Sequence, residues 1–412
     1  MKPDWKISRA FELETTGDLF VQDGNHGEYR PRSNEFVKDG IPFVRAGDMK
    51  NGRIDFASAE RINDAAFKRI RKGIAHPGDI ILSSKGTVGS IAIAGNEYET
   101  FVCSPQTTFW RVNKCGKLNR RYLYYFMQSG EFVHQMDALK GQTDMAAYLS
   151  LTDQRKMWVR VPPLFVQQRI ADILGALDDK IECNRHVNKT LEVMSETCFN
   201  YWLATSEKDG EGKPLDEIAD FLNGLALQKF PPKNGSSLPV IKIAELHRGI
   251  TESTDRASED IPSQYIVNDG DVLFSWSGSL DVCIWCDGRG ALNQHLFKVT
   301  SSKYPKWFYY QWIKHHLPHF REIAAGKATT MGHIQREHLH QALAAVPSSE
   351  MLQLMNAKMQ PILDQIISNN LESRLLRQTR DYLLPKLLSG EIKVKAAEEQ
   401  IAGVNDDHPL SQ

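Results

Sequence analysis

The chain has 412 residues and carries 50 Lys and Arg against 51 Asp and Glu, which gives a formal net charge of −1. This length allows two or three domains, and the hydrophobic fraction of 41% is that of an ordinary globular protein. The balanced charge excludes a surface that is basic throughout, but it allows a basic patch on one face. No run of 18 uncharged apolar residues and no signal peptide occurs, so we expect a cytoplasmic protein without membrane contact.

The first segment, up to about Val161, alternates short apolar runs with turn residues. β-rich runs predict strands at 41–46, 79–82, 90–94 and 108–112. Helical spacing predicts helices at 63–71 and 121–128, the second capped by Asn119. Glycine-rich loops separate these elements at 23–34, 83–89 and 140–146.

A single long helix is predicted at 166–203, directly after Pro162 and Pro163. Apolar residues recur there at helical spacing, and the stripe comprises Ile170, Leu174, Leu177, Ile181, Leu191, Cys198 and Trp202, with Asn184 and Asn188 on the same stripe. A helix of this size is roughly 55 Å long. It is too long for an ordinary element of a compact domain, so we interpret it as a spacer.

The second half of the chain repeats the first. A shift of 185 positions aligns Leu174 with Met359, Ile181 with Ile366, and Gly141 with Gly326. The run 270–275 likewise mirrors 78–83. A repeat of this kind predicts two copies of one structural unit, each a globular part followed by a long helix. We place the parts at 1–163, 164–204, 205–347 and 348–392, with a flexible tail at 393–412.

Motifs that would indicate catalysis are missing. The sequence contains no phosphate loop, no dinucleotide-binding glycine pattern, no nucleophile elbow and no HExxH. Cys283 and Cys286 form one CxxC without a second pair, so buried thiols are favoured over zinc. We therefore expect no catalytic residue, no bound metal and no cofactor in this chain.

The loops instead carry amides, hydroxyls and isolated cations, which suit hydrogen bonds to phosphates and base edges. A basic run at 68–72 adds charge directed at phosphates. For any single residue a solvated turn is the alternative, but equivalent loops with different residues recur in both copies. The candidate DNA-binding residues are Asn25, His26, Tyr29, Arg30, Ser84, Lys85, Gln106, Thr107, Lys140, Gln142 and Thr143 in the first copy, and Gln228, Lys229, Ser275, Trp276, Ser277, Asn293, Gln294, His295 and Lys327 in the second.

One family shares several of these features. The junction from Leu149-Ser150 through Val161-Pro162-Pro163-Leu164 to Gln167-Gln168-Arg169-Ile170 resembles that of specificity subunits of Type I restriction–modification systems. The strand 78–83, its copy at 270–275 and the loop 23–31 are similar to the same family, although the second junction is degenerate at 344–349. The resemblance covers about residues 1–390.

The resemblance implies an α+β fold in which two α/β target recognition domains are joined by two long helices. If the helices form an antiparallel coiled coil, their apolar stripes meet and a pseudo-two-fold axis relates the domains. Asn184 and Asn369 lie on these stripes, where a buried polar pair would specify register; exposure to solvent is the alternative. Such a rod would hold two half-sites apart by about one turn of DNA, roughly 34 Å.

The resemblance also implies partners. These are double-stranded DNA, two copies of an adenine-specific DNA methyltransferase subunit, and restriction subunits that translocate DNA. S-adenosylmethionine, ATP and Mg²⁺ are expected in those subunits and not in this chain. The expected function is recognition of an asymmetric bipartite site. Two alternatives stay open: a coiled-coil scaffold with two protein-binding domains, and, less favoured by the missing motifs, a self-sufficient methyltransferase.

Overall fold

The protein is represented by a computed structural model that describes residues 5–142, 146–206, 211–232, 235–326, 332–394 and 396–397. Two compact units divide the chain. Unit 1 comprises Met1–Asp178 with Gln378–Gln412, and unit 2 comprises Asp179–Arg377. Each unit contains one globular part and a portion of each long helix.

The globular part of unit 1 contains fifteen strands among its described residues. They are β1 (Lys6–Arg9), β2 (Leu19–Asp23), β3 (Phe36–Val37), β4 (Ile41–Val44), β5 (Met49–Lys50), β6 (Arg53–Ile54), β7 (Glu60–Ile62), β8 (Ile74–Ala75), β9 (Ile80–Ser83), β10 (Ile91–Ile93), β11 (Phe101–Cys103), β12 (Thr107–Val112), β13 (Gly141–Gln142), β14 (Ala147–Tyr148) and β15 (Trp158–Val161). The helices are α1 (Ala10–Thr15), α2 (Asp64–Arg69), α3 (Arg120–Met127), α4 (Gly130–Leu139), α5 (Leu151–Lys156) and the start of α6 (Leu164–Ser206).

Two sheets form the body of unit 1. One has the strand order β2-β12-β9-β10-β6-β5, and the other has the order β3-β7-β4-β11-β8. The strands β1 and β15 pair separately, and so do β13 and β14. All four residues of β9 are buried, as expected for a strand inside a sheet that is covered on both faces.

Unit 2 contains the remaining elements. Its strands are β16 (Glu211–Pro214), β17 (Asp220–Asn223), β18 (Ser237–Ile241), β19 (Arg256–Ser258), β20 (Ile266–Val267), β21 (Val272–Ser275), β22 (Val282–Ile284), β23 (Gly290–Leu292), β24 (Leu296–Thr300) and β25 (Leu343–Val346). Its helices are α7 (Leu215–Ile218), α8 (Ile243–Arg248), α9 (Lys306–Ala325), α10 (Arg336–Gln341) and most of α11 (Ser349–Leu388).

The sheets of unit 2 repeat those of unit 1. The order β17-β24-β21-β22 corresponds to β2-β12-β9-β10, and β19-β18-β23-β20 corresponds to β7-β4-β11-β8. The pairing of β18 with β23 is parallel, as is that of β4 with β11. The pair β16 and β25 corresponds to β1 and β15. Two globular parts with one topology confirm the α+β fold and the internal duplication.

Most of the predicted elements are present within a few residues of their predicted bounds. Asn119 caps α3 as expected, because its Oδ1 accepts a hydrogen bond from the backbone N–H of Tyr122 at 2.9 Å. Several elements of unit 1 were not predicted, among them the strands β1 and β2 and the helices α1, α4 and α5.

The two long helices are antiparallel where they pack within unit 2. Asn184 donates to Glu372 and Ser373, whereas Asn188, one turn later, donates to Ile366 and Asn370. From Asn184 to Asn188 along the first helix, the residue numbers of the partners in the second helix decrease, which is the signature of antiparallel packing. The predicted helix pair is therefore confirmed.

The predicted asparagines lie inside this helix pair. Asn184 and Asn369 are only 2% and 6% exposed. The side-chain amide of Asn184 donates to the backbone oxygen of Asn369 at 3.3 Å, and the amide of Asn369 donates to Oδ1 of Asn188 at 2.8 Å. Buried amides with mutual partners restrict the register that two helices can adopt. That this pair sets the register of the whole rod stays a prediction.

One member of the predicted apolar stripe is misplaced. Cys198 is exposed, and the buried positions around it are Ser195 and Phe199. The buried face of α6 lies at these two neighbours, which contact α9: Ser195 accepts a hydrogen bond from Gln311, and the ring of Phe199 packs on Trp312.

Among the described helices, none combines the length and the apolar character that crossing a bilayer requires.

Candidate nucleic-acid interface

A serine ends the central strand of each unit and shapes the loop that follows. In unit 1 the Oγ of Ser83 donates to the backbone oxygen of Thr87 at 2.6 Å and accepts from the backbone N–H of Ser90 at 2.8 Å. In unit 2 the Oγ of Ser275 donates to Ser279 at 2.7 Å and accepts from Asp281 at 2.7 Å. Both serines are fully buried, so they hold the turn from inside.

Backbone hydrogen bonds join this loop to its neighbours in unit 1. The backbone N–H groups of Ser84 and Lys85 donate to the oxygen of Gln106, at 2.8 and 3.2 Å. On the other side, Gly86 donates to Ala147 at 3.0 Å, and Leu149 donates to Ser84 at 2.9 Å. The predicted loop 83–89 therefore meets the segments around Gln106 and 147–149 at one end of the sheet.

The loop after β2 belongs to the same assembly. Gly24 donates to the backbone oxygen of Thr107 at 2.8 Å, and Asn25 donates to Cys103 at 2.7 Å. A Cβ atom at Gly24 would lie 1.9 Å from the backbone oxygen of Ser104, so only glycine fits this contact. We call residues 24–30, 84–89, 104–107 and 146–149 loop cluster 1.

Unit 2 builds the same assembly from different residues. We call residues 224–229, 276–281, 293–296 and 332–334 loop cluster 2. Its backbone hydrogen bonds match those of loop cluster 1, and they run from Gly224 to Leu296, Leu225 to Leu292, Trp276 to His295, Gly278 to Gly332, and Ile334 to Trp276. Gly224 is again the close approach, because a Cβ atom there would lie 2.2 Å from the oxygen of Asn293. One backbone frame thus occurs twice.

The side chains on the frame differ between the units. Lys85 and Tyr148 face each other through an isolated antiparallel bridge in loop cluster 1, and Ser277 and His333 do so in loop cluster 2. Gln106, which accepts from the loop backbone, is replaced in loop cluster 2 by His295. The frame is retained while the chemistry that it presents changes.

Charged groups surround Tyr148 in unit 1. Burial raises the pKa of Tyr148, and the carboxylates of Asp23 and Asp153 add to that increase. Burial also raises the pKa of Asp23, an effect that His26, Arg155 and Lys72 oppose. The surroundings of loop cluster 1 therefore combine cations with the carboxylate of Asp23, which is partly withdrawn from solvent.

Aromatic and imidazole rings dominate loop cluster 2. The Trp276 ring lies 5.9 Å from the His295 ring and 6.3 Å from the His333 ring, between centroids. Its Nε1–H donates to Oδ1 of Asn223 at 3.0 Å and to the oxygen of Gln294 at 3.1 Å. The Oγ of Ser277 lies 2.9 Å from Nδ1 of His295, which fixes the orientation of that ring.

The structure places the predicted DNA-binding residues in three groups. The exposed side chains are those of His26, Tyr29, Arg30, Lys85, Gln106, Lys140, Gln228 and Lys229, and the half-buried ones are those of Trp276, Gln294 and His295. The buried side chains are those of Asn25, Ser84, Thr107, Ser275, Ser277 and Asn293. Of Gln142 the structure describes the backbone in β13, and Thr143 and Lys327 lie outside the described residues.

Burial argues against direct contact between the third of these groups and a ligand. The hydroxyl of Thr107, for example, donates to the backbone oxygen of Ser104 at 2.9 Å, and that of Ser84 lies 3.3 Å from Gln106. These side chains support the loops from within. The prediction of DNA contact then rests on the exposed and half-buried residues, for which it stays a prediction.

The cations of the basic run at 68–72 lie in two different environments. Arg69 is committed to Glu35, with its two terminal nitrogens 2.8 and 2.6 Å from the carboxylate oxygens. This ion pair lowers the pKa of Glu35 to about 2. Lys68, Arg71 and Lys72 are exposed, and their role at phosphates stays a prediction.

Tyr148 and His333 are absent from the predicted set. The signal that identifies them is the repeat itself, because the shift of 185 positions that aligns Gly141 with Gly326 also aligns Tyr148 with His333. Tyr148 lies just outside the predicted loop at 140–146, and each of the two residues directly precedes a buried apolar residue. Only the pairing with the loop after the central strand brings them to the site.

Burial keeps the two cysteines of the CxxC motif protonated, since it raises the pKa of Cys283 to about 12 and that of Cys286 to about 11. The described part of the chain holds no group of three or more His, Cys, Asp or Glu side chains with the geometry of a metal site.

Comparison with known proteins identifies relatives along most of the chain. The family described as "Type I restriction modification DNA specificity domain" matches residues 10–193. The MjaIX specificity subunit of a type I restriction enzyme from Methanocaldococcus jannaschii is 25% identical over 390 residues, covering 88% of this chain and 89% of that protein. The HindI specificity subunit from Haemophilus influenzae is 20% identical and covers 85% of this chain and 94% of its own length.

The fold has a solved counterpart as well. The crystal structure of the type I restriction–modification S subunit from M. genitalium aligns with a TM-score of 0.55 at 15% identity, covering 93% of this chain and 96% of that one. The shared fold agrees with the match of the family and with the two relatives, which extend over both units. The chain is therefore similar along most of its length to specificity subunits of type I restriction enzymes, and residues 10–193 match their DNA specificity domain.

Proposed function

We propose that each unit reads one half of an asymmetric bipartite DNA site with its loop cluster, and that the bases between the halves are not read. The observation that carries this proposal is one backbone frame with two sets of side chains, Lys85, Gln106 and Tyr148 in unit 1 against His295 and His333 in unit 2. A duplicated backbone frame with different exposed side chains suits two related domains that recognise two different sequences.

The exposed side chains of the loop clusters can form hydrogen bonds with base edges. Lys85 is an exposed cation that can donate to the O6 and N7 atoms of guanine, and Gln106 is an exposed amide that can pair with adenine. Lys68, Arg71 and Lys72 supply exposed cations for phosphates in unit 1. In unit 2 the exposed Lys229 supplies a cation, and the half-buried Gln294 supplies an amide.

The helices α6 and α11 are proposed to set the distance between the two half-sites. They span 43 and 40 residues, lengths that no ordinary domain element requires. Their packed portion in unit 2 contains the buried amides of Asn184, Asn188 and Asn369, which favour one register. A helix pair in one register is stiff enough to act as a ruler.

Catalysis is assigned to partner subunits. The relatives are specificity subunits of type I restriction enzymes, and we propose that this chain likewise recruits two methyltransferase subunits and, where present, restriction subunits. Adenine methylation with S-adenosylmethionine, and cleavage with ATP and Mg²⁺, then occur in those partners. The cytoplasm is the proposed location.

Selection from random duplex DNA tests the reading of two half-sites. The full-length chain, with its methyltransferase partner when needed for solubility, is expected to enrich two short motifs at a fixed separation. Its affinity is expected to fall steeply with rising salt, because cations that contact phosphates release counterions. Enrichment of one motif only, or binding to duplex DNA without sequence preference, would contradict the proposal and favour the protein-binding scaffold.

A paired insertion tests the ruler. Seven residues added after Asn188 in α6 and seven after Ile366 in α11 keep the helical phase at a place where the two helices contact each other. The insert lengthens each helix by about 10 Å, which corresponds to about three base pairs. The same two motifs are expected at a longer separation, and an unchanged separation would refute the ruler while leaving DNA reading intact.

A further inference from the structure

We infer that Tyr148 and His333 are specificity-determining residues, each contributing to the base preference of its own half-site. The inference rests on the proposed function, because it assigns residues to the reading of the two half-sites. Both residues occupy one structural position on the duplicated frame, and neither is a residue that the frame itself requires.

The position is defined by backbone contacts. Tyr148 pairs with Lys85 in an antiparallel bridge, and His333 pairs with Ser277 in the same way. The residue that follows each of them donates its backbone N–H to the loop, from Leu149 to Ser84 at 2.9 Å and from Ile334 to Trp276 at 2.9 Å. Each side chain is therefore held beside the loop that ends the central strand of its unit.

The residue after each of these two, Leu149 or Ile334, packs in the core. Leu149 is 0% exposed and Ile334 is 3% exposed, whereas Tyr148 and His333 are half-buried. Successive side chains on an extended segment point to opposite faces, so the apolar residue enters the core and the polar one turns away from it. A phenol and an imidazole can replace each other here because the fold depends on the neighbour.

The two side chains have different hydrogen-bonding chemistry. The hydroxyl of Tyr148 both donates and accepts, and it lies in the electrostatic environment of Asp23, a carboxylate that suits the amino group of cytosine. The ring of His333 lies 6.3 Å from that of Trp276, edge-on at 84°, and joins an aromatic group that suits contact with a thymine methyl group. Unequal chemistry at equivalent positions is what two different half-sites need.

Selection experiments with single substitutions test the inference. Tyr148→Phe removes the hydroxyl and Tyr148→Ser removes the ring, while His333→Gln replaces the imidazole with an amide. The controls are Tyr382→Phe and His186→Gln, which change exposed residues on the long helices. Thermal melting of each full-length variant checks that the fold is retained.

Each substitution is expected to change preference in one half-motif only, by about tenfold at one or two base positions, which is typical of a single base contact. Changes are expected in the half read by unit 1 for the Tyr148 variants and in the other half for His333→Gln. The two controls should select the wild-type motifs.

Two results would overturn the inference. One is an unchanged pair of motifs for both Tyr148 variants and for His333→Gln; the other is an equal change in both halves, which would mean that the residues act through the fold. Either result, with a wild-type chain that still selects two motifs, leaves the proposed function standing. A wild-type chain that selects no motif overturns both.

Discussion

The two loop clusters share one backbone frame but rest on different supports. Beneath loop cluster 1 the fully buried amide of Gln154 accepts from Thr108 at 2.9 Å and from the Trp110 ring nitrogen at 3.1 Å, and it donates to Leu149 at 3.1 Å. The pairing of the sheets and the repeat place Phe297, Val299 and Leu339 at the corresponding positions of unit 2, and all three belong to one hydrophobic cluster.

This difference shows which part of the duplication is constrained. A polar network and an apolar cluster support the same loops, so the supporting residues were free to diverge as a set. The glycines of the close approach, Gly24 and Gly224, are the same in both units. The geometry of the backbone frame is therefore the constrained feature, while the residues beneath the loops and the side chains that the loops present differ between the units.

The largest effect is expected where the two units agree. Gly24→Ala and Gly224→Ala each place a methyl group about 2 Å from a backbone oxygen that cannot move without disrupting the sheet, at a cost of about 3 kcal/mol. Each variant should lose the preference for its own half-site and keep that for the other. Chemical unfolding and selection from random DNA measure the two effects.

Matched alanine substitutions provide the control for the glycines. A methyl group added at Gly47 would have no heavy atom within 4 Å, and one added at Gly326 would have its nearest atom at 3.6 Å. Gly47→Ala and Gly326→Ala should leave both stability and half-site preference nearly unchanged. A loss in these controls as large as that at Gly24 would show that the frame is not specially constrained.

A smaller effect is expected where the supports differ. Gln154→Leu leaves the partners of the amide unsatisfied in the core of unit 1, which should lower the free energy of unfolding by about 2 kcal/mol. Leu339→Met in unit 2 exchanges one apolar side chain for another of similar volume and should cost less than about 1.5 kcal/mol. Denaturant titration compares the two, and equal losses would mean that the polar network contributes nothing of its own.

A pH-dependent difference is expected at the ion pair that anchors the 27–35 loop of unit 1. Arg69 lowers the pKa of Glu35 from its ordinary value of 4.5 to about 2. The stabilisation is therefore complete above pH 4.5 and is lost as the pH falls from 4.5 to 2. Glu35→Gln should melt at a lower temperature than wild type at about pH 6, and the gap should close below about pH 3.

The control for this experiment is Glu99→Gln, which changes an exposed glutamate of the same unit. Its melting temperature should follow that of the wild type at every pH. A gap for Glu35→Gln that persists unchanged at about pH 2 to 3 would show that the ion pair is not its cause.

The smallest effect is expected at a single exposed cation of loop cluster 1. Lys85→Gln removes one positive charge at a position where unit 2 has the buried Ser277. The slope of log affinity against log salt should decrease by about one if Lys85 contacts a phosphate, and preference in one half-motif should weaken if it contacts a base. Lys189→Gln on α6 is the matched control, and identical behaviour of the two variants would exclude a DNA contact by Lys85.

The architecture of this protein could be predicted from its amino-acid sequence alone. A shift of 185 positions predicted the duplication, the period of residues such as Leu174 and Leu177 predicted the long helices, and the runs at 78–83 and 270–275 predicted the central strands. These features depend on local periodicity and on repetition along the chain, so they can be read without coordinates.

The residues of the proposed interface could be identified only from the folded chain. Burial separated Ser84 and Ser275, which support the loops, from Lys85 and Gln106, which are exposed. Pairing between segments far apart in the chain brought Tyr148 to Lys85, and the helix face at Ser195 and Phe199 replaced the expected one at Cys198. These outcomes depend on contacts between segments that are distant in the chain, and no local pattern encodes them.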